Sequence, residues 1–209
     1  MNKIKAIIFD YDGVIAESVN VKTEAFAELY KPWGEKVVQK VVAYHEANGG
    51  ISRFEKFKIY HKEFLGIELD KNGIDNLARQ FSQLVLQKVV DSPYVPGAYE
   101  FLSENYNKYN FYISTGTPTS EIEIILKKKG IRKFFKEVYG SPEKKSEHVK
   151  KIIDKYQKDE VVFIGDALTD REAARENGIE FIGRFTTTEE IKKEIKIIID
   201  FYDLPKYLN

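Results

Sequence analysis

A short apolar run that ends abruptly in acid constrains this chain more than any other feature. Ala6-Ile7-Ile8-Phe9 is followed at once by Asp10-Tyr11-Asp12-Gly13. The run has no polar alternation, so it reads as a parallel strand covered on both faces. Two carboxylates at i and i+2, placed where the strand ends, raise each other's pKa unless a cation lies between them. Mg²⁺ suits such hard oxygen ligands, because it takes one or two protein carboxylates and keeps positions for phosphate oxygens and water. Ligands of open α/β sheets bind beyond the carboxyl ends of the strands. Gly13 lets the backbone turn sharply away. Taken alone, Asp-x-Asp-Gly is an ordinary strand-ending turn. Its weight comes from matching pieces further along.

The 209 residues suffice for one good-sized domain, or for a domain carrying an inserted module. Thirty-three basic residues balance 33 acidic ones, which gives no electrostatic case for nucleic acid or an anionic membrane surface. Fourteen Phe and 13 Tyr supply a core and argue against disorder. Without cysteine there is neither disulfide nor thiol chemistry. No apolar run reaches bilayer-spanning length, and Met1-Asn2-Lys3 leads directly into the first strand, so no signal peptide is expected. The expectation is a cytoplasmic protein, a monomer or small homo-oligomer.

Beyond Gly13 the periodicity changes to helical. Ser18 to Val42 carries Ala25, Phe26 and Leu29 at helical spacing and is broken by Lys31-Pro32-Trp33-Gly34. Asn48-Gly49-Gly50 is a loop. Ile51 to Leu65 places Phe54, Phe57, Tyr60 and Phe64 in one amphipathic register, with Ser52 as N-cap and Glu55 at the capping-box position. Ile74 to Val90 is helical again. No parallel strand is expected between Ala16 and Val90, so residues 16–90 read as an all-α insertion, a cap, within a core formed by 1–15 and 91–209. From Tyr94 onward strands alternate with helices. Strands are expected at Phe111–Ser114, within Phe134–Tyr139, at Val161–Ile164, at Phe181–Ile182 and around Ile197–Ile199. This pattern predicts an α/β fold with a Rossmann-like, doubly wound parallel sheet.

A parallel sheet brings four polar strand ends to one edge. They are Asp10 and Asp12, Ser114 and Thr115, the Lys144-Lys145 pair, and Asp166 with Asp170. Carboxylates for a metal, a hydroxyl with a glycine amide, and a lysine are the parts that phosphoryl transfer requires. A carboxylate can also serve as the nucleophile.

In Asp10-Tyr11-Asp12-Gly13-Val14, Thr115-Gly116-Thr117, a lysine at 144 or 145, and Gly165-Asp166-Ala167-Leu168-Thr169-Asp170, the chain resembles the haloacid dehalogenase superfamily in its phosphatase branch. The helical insertion resembles that family's small α-helical cap. The resemblance implies Asp10 as nucleophile, forming an aspartyl-phosphate, and Asp12 as general acid and then base. It implies that Thr115 and the Gly116 amide hold the phosphoryl group. The lysine would neutralise charge, with Lys145 favoured because it directly precedes a helix. Mg²⁺ would be held by Asp10, the Asp12 carbonyl and Asp166, with Asp170 close behind. Thr115 is favoured over Ser114 because Gly-Thr-Pro follows it.

Selectivity is expected from the cap. A glycine-rich loop entering a helix N-terminus suits an anion, and Gly49-Gly50-Ile51-Ser52-Arg53 resembles the loop of the β-phosphoglucomutases whose arginine holds a distal phosphate. Arg53 and Lys56 are therefore candidate substrate-binding residues, against the alternative that Arg53 pairs with Glu55 or Glu46 at the surface. His45, His61 and His148 receive no role. Three functions follow: a Mg²⁺-dependent phosphatase of a small phosphorylated metabolite, such as a sugar phosphate or phosphoglycolate, a phosphosugar mutase, and an inactive phospho-ligand binder. A dehalogenase is disfavoured, since a halide leaving group needs no acid such as Asp12.

Overall fold

The computed structural model describes residues 4–185, 191–194 and 196–208, so the expectation drawn from Met1-Asn2-Lys3 lies outside the described residues. The first strand, β1 (Ala6–Phe9), is fully buried. Its alternating side chains separate onto two faces. Ile7 and Phe9 join a large core with Phe101, Leu102, Ile122 and Ile125, whereas Ala6 and Ile8 join a second core with Val149, Ile152, Ala173 and Ala174. A strand with helices on both sides has no wet face, and this is why its sequence lacks polar alternation.

The sheet is completed by β2 (Asn110–Pro118), β3 (Phe135–Ser141), β4 (Val161–Gly165), β5 (Glu180–Arg184) and β6 (Ile197–Ile198). All pairings are parallel and the strand order is β3-β2-β1-β4-β5-β6. This order reverses direction at β1 and β4, which creates the crevice where α/β sheets hold ligands. Phe9 is level with Ile113 on one side and Ile164 on the other. Asp10, Ser114 and Gly165 therefore emerge from the sheet together.

Four α-helices lie between Ala16 and Tyr94: α1 (Val19–Tyr30), α2 (Glu35–Ala47), α3 (Arg53–Ile59) and α4 (Lys71–Asp91). The chain leaves and re-enters the sheet layer side by side, with Ala16 bridged to Tyr94. The helices close around an aromatic cluster in which Phe26 lies against Phe57, Tyr60 and Phe81, with ring centroids 5.9, 5.6 and 4.3 Å apart. The remaining helices are α5 (Ala98–Asn105), α6 (Thr119–Lys128), α7 (Lys145–Ile153) and α8 (Leu168–Asn177).

Two local features depart from expectation. The helix expected over Ile51–Leu65 widens to a π-helical stretch at Tyr60–Leu65 before Gly66 stops it in the left-handed region. The Ser52 cap forms by accepting from the Phe54 amide, but Glu55 does not complete a capping box; its carboxylate accepts from Lys58 at 2.7 Å. A lysine one turn away offers that exposed carboxylate a charged partner, where the cap offers only an amide.

Candidate active site

β1 delivers Asp10 to the crevice. Its Oδ1 accepts from the Tyr11 amide at 2.7 Å and its Oδ2 from Lys145 Nζ at 2.7 Å. The same ammonium donates to Asp170 Oδ1 at 2.6 Å, and Asp170 Oδ2 accepts from the Ala167 amide at 3.1 Å. Asp170 thus ties the first turn of α8 to the lysine that opens α7. Lys145 is buried and Lys144 is exposed, so Lys145 is the one of the two that the fold brings to the acidic set. Burial disfavours the Lys145 charge, yet Asp10 and Asp170 overcome this and raise its pKa above the usual lysine value.

Asp10, Asp166 and Asp170 each place a carboxylate oxygen within 4.8 Å of the others, and all three are buried. Lys145 is the only cation paired with this set among the described residues. Three carboxylates and one ammonium leave two negative charges if all ionise. Burial, reinforced by Asp10 and Asp170, pushes the Asp166 carboxyl well above its usual range. Burial likewise raises Asp170 to about 7, against the pull of Lys145. A buried acidic trio with a deficit of two charges is the donor set that a divalent cation fits. Gly13 is required here twice over. Its φ is +77°, and a Cβ would stand 2.2 Å from Asp166 Oδ2.

These raised values set a pH dependence. A carboxyl whose folded pKa exceeds its unfolded one destabilises the fold when ionised, so the penalty fades as pH falls through the folded value. For Asp170 the relevant window lies between about 7 and the unfolded value of 3.8. We expect the thermal midpoint of cation-free protein to rise on acidification from above pH 7 toward pH 5. Mg²⁺ should raise the midpoint at pH 7.5 and flatten this trend, and differential scanning calorimetry with and without EDTA measures both.

Asp12 stands apart from the trio. Its Oδ1 accepts from Ser18 Oγ at 2.6 Å, and its Oδ2 accepts from Lys22 Nζ and, at 3.2 Å, from Thr117 Oγ1. Burial works against its charge, but Lys22 and these hydrogen bonds hold its carboxyl below the usual range. Lys22, Ser18 and Thr117 were given no role beside Asp12 from the sequence. A lysine on a helix ten residues beyond Asp12 resembles any solvated lysine until the chain folds.

Thr115 is buried at the crevice, its Oγ1 accepting from the Thr117 amide at 3.2 Å, and Gly116 lies beside it. Ser114 faces the other way and hydrogen-bonds His148 Nδ1 at 2.9 Å, which leaves Thr115 as the hydroxyl at the site. The helical layer sits directly above. Gly50 lies so close that a Cβ there would meet Thr169 Oγ1 at 2.0 Å and Lys145 Nζ at 3.1 Å, and Thr169 Oγ1 donates to the Gly49 carbonyl at 3.2 Å. Between the two layers is a cavity of about 700 Å³, lined by Asp10, Asp12, Asp166, Thr115 and Gly116 from below and by Arg53 and Lys56 from above.

Arg53 pairs with neither Glu55 nor Glu46. Its Nη2 donates to Glu121 Oε1 at 2.7 Å and its Nη1 to Glu121 Oε2 at 2.9 Å, while Ser82 Oγ joins both partners. The guanidinium also lies 4.5 Å from the Phe81 ring centre. The fork bridges α3 and α4 to α6 in a buried setting, where removing one partner strands the other. Glu121→Gln should lower stability by about 3 kcal/mol in urea denaturation, near the bottom of the range for breaking a buried pair because the amide still accepts one bond. The three histidines, given no role from the sequence, are all buried, and His45 contacts Lys56 at 2.7 Å.

Comparison with known proteins agrees with this geometry. A family profile described as "Hydrolase: haloacid dehalogenase-like hydrolase" matches residues 4–178. A search of curated proteins gave no match. Among solved structures, a β-phosphoglucomutase from Clostridium difficile superposes with a TM-score of 0.78 at 19% identity, covering 99% of this chain and 97% of that one. A predicted phosphoglycolate phosphatase from Haemophilus somnus gives 0.76 at 21% identity, with both chains covered completely. A haloacid dehalogenase-like family protein from Streptococcus pneumoniae gives 0.74 at 23%, again over the whole of both chains. Among the described residues no helix is long and apolar enough to cross a membrane.

Proposed function

The chain belongs to the haloacid dehalogenase-like hydrolases, and from that premise we propose that it is a Mg²⁺-dependent phosphatase of a small phosphorylated metabolite, such as a sugar phosphate. The observation that carries this reading is the convergence of Asp10, Asp12, Thr115, Lys145 and Asp166 on one crevice beneath a helical cap. In this reading the cap is the unit 16–90 and the catalytic core comprises 1–15 and 91–209.

The bound cation, held by Asp10, Asp166 and the Asp12 carbonyl, would offset charge on the transferring phosphoryl oxygens. The residues of the chain do the rest. A carboxylate oxygen of Asp10 attacks phosphorus while the ester P–O bond breaks, and the departing alkoxide takes a proton from Asp12. Water then gives a proton to Asp12 and attacks the aspartyl-phosphate. The acyl phosphate P–O bond breaks, which releases inorganic phosphate and restores the Asp10 carboxylate. Thr115 and the Gly116 amide orient the phosphoryl group, and Lys145 holds Asp10 in place through the hydrogen bond to its Oδ2. Asp12 rests ionised, as the base step needs. An arriving phosphate dianion competes for Lys22, and a weakened Lys22 contact lifts Asp12 toward the protonated form that the first step needs.

A mutase reading needs Arg53 free for a distal phosphate, and Glu121 already holds both of its terminal nitrogens. The intact acid set disfavours an inactive binder. The deciding experiment incubates the protein with Mg²⁺ and a panel of phosphate monoesters, and separately with β-glucose 1-phosphate and its bisphosphate primer. Phosphate release from the panel supports the phosphatase, whereas isomerised sugar without release supports the mutase. Ligand-induced stabilisation with neither reaction leaves a binder.

A further inference from the structure

Resting on the phosphatase reading of this site, we infer that Arg184 is a positioning residue: it braces the turn from Asp12 to Ser18 and so aims the Asp12 carboxylate for both proton transfers. Arg184 ends β5, one strand outward from Asp166, because Gly183 is level with Gly165. It is buried and does not line the cavity. Its Nη1 donates to the Gly13 carbonyl at 2.9 Å and to Glu17 Oε2 at 3.1 Å, its Nη2 to Glu17 Oε1 at 2.5 Å, and its Nε to the Ile199 carbonyl at 3.0 Å. One guanidinium thus joins the first residue after Asp12, the last before Ser18, and the segment that follows β6. A planar fork suits three partners in fixed directions, which a lysine's single point charge does not.

The turn depends on this brace. Its backbone folds back on itself: the Tyr11 carbonyl accepts from the Ile15 and Ala16 amides at 2.9 and 3.1 Å, and the Ala16 carbonyl accepts from those of Gly13 and Ser18 at 2.8 and 2.9 Å. The buried Gly13 carbonyl takes no part in this pattern, and Arg184 supplies its donor. A buried carbonyl left without one is costly. Ser18 Oγ donates to Asp12 Oδ1 at 2.6 Å, so the two residues that Arg184 grips flank the two ends of that hydrogen bond. Both crossings between sheet and helical layer pass here. The Glu17 amide donates to the Pro93 carbonyl at 3.0 Å, and Phe201, two residues past Ile199, donates its amide to the Pro96 carbonyl at 3.0 Å. Asp10 is held separately. Its amide donates to the Ile164 carbonyl at 3.0 Å, and Lys145 and the Tyr11 amide hold its carboxylate. Loss of Arg184 therefore loosens Asp12 and leaves the nucleophile in place.

The test compares alkyl phosphates with p-nitrophenyl phosphate, whose leaving group departs without a proton. In Arg184→Met, kcat/KM for alkyl phosphates should fall by about 10- to 100-fold, the cost of a misplaced reacting group. Nitrophenol should still appear in a burst approaching one equivalent, with slow turnover after it. In an Asp12→Asn background the same substitution should change alkyl-phosphate rates by no more than about twofold, since the group it positions is gone. Arg184→Lys keeps a charge for Glu17, and with it the fold, but gives up the fork; it should show the same split at smaller size. Three results overturn the inference: alkyl-phosphate rates unchanged in both variants, a burst lost in proportion to those rates, or a loss of the same size with and without Asp12. Absence of phosphate release from every ester by the wild-type protein would instead overturn the phosphatase reading. Hydrogen exchange then still judges the brace. Amides of residues 11–18 should exchange at least about tenfold faster in the Arg184 variants while those of β1 and β4 hold, and unchanged exchange over 11–18 refutes it.

Discussion

Asp10→Asn should abolish phosphate release from every ester the wild-type protein accepts, a loss of at least about 10⁴-fold for removal of a covalent nucleophile. The same substitution should leave the fold intact or strengthen it. Asp10 contributes one of three crowded carboxylates, and its removal relieves the repulsion that raises Asp166 and Asp170. Lys145 keeps Asp170 as a partner at 2.6 Å, so no buried ammonium is stranded. Cation-free Asp10→Asn protein should therefore melt at or above the wild-type temperature while being inactive. Residual turnover within tenfold of wild type would remove Asp10 from the chemistry. Inactivity together with a large loss of stability would assign it a structural role instead.

The positions of the strands along the chain and the placement of the acidic pieces were legible because both are local. An apolar run ending in Asp10-x-Asp12, and another ending in Gly165-Asp166, state where a buried strand stops and what it presents there. Parallel topology then does the assembly, since it brings every carboxyl end to one rim. What could not be read is the pairing across the layers. Glu121 lies 68 residues from Arg53, and Thr117 lies 95 from Lys22. Nothing in the periodicity of α6 or α1 distinguishes those side chains from exposed neighbours. The preference for Lys145 over Lys144 was only slight for a related reason: adjacent residues at a helix start diverge by about 100° around its axis, and only the docked helix says which one faces the core. Arg53 is the instructive case. Its loop was visible, but an arginine fork accepts either a ligand phosphate or a protein carboxylate, and the sequence around it carries no information about Glu121.

Asp12→Asn should reduce kcat/KM for alkyl phosphates by about 10²–10⁴-fold, the range of general acid-base assistance, with a much smaller effect on stability. Three donors surround this carboxylate, from Ser18, Lys22 and Thr117. The amide can still accept on one side. Lys22 loses its counter-ion, but it lies at the cavity and keeps Thr117 Oγ1 at 2.7 Å, so the cost should be about 1–3 kcal/mol. The leaving group separates chemistry from structure. p-Nitrophenolate departs without needing a proton, so the first step should survive in Asp12→Asn while the second, which needs Asp12 as base, stays slow. A burst of nitrophenol approaching one equivalent per protein, followed by slow turnover, is the expected stopped-flow trace. Equal losses for alkyl and nitrophenyl esters without a burst would mean that Asp12 only positions its neighbours. In that case Lys22, which touches it and is drawn toward the incoming phosphate, would become the candidate proton carrier.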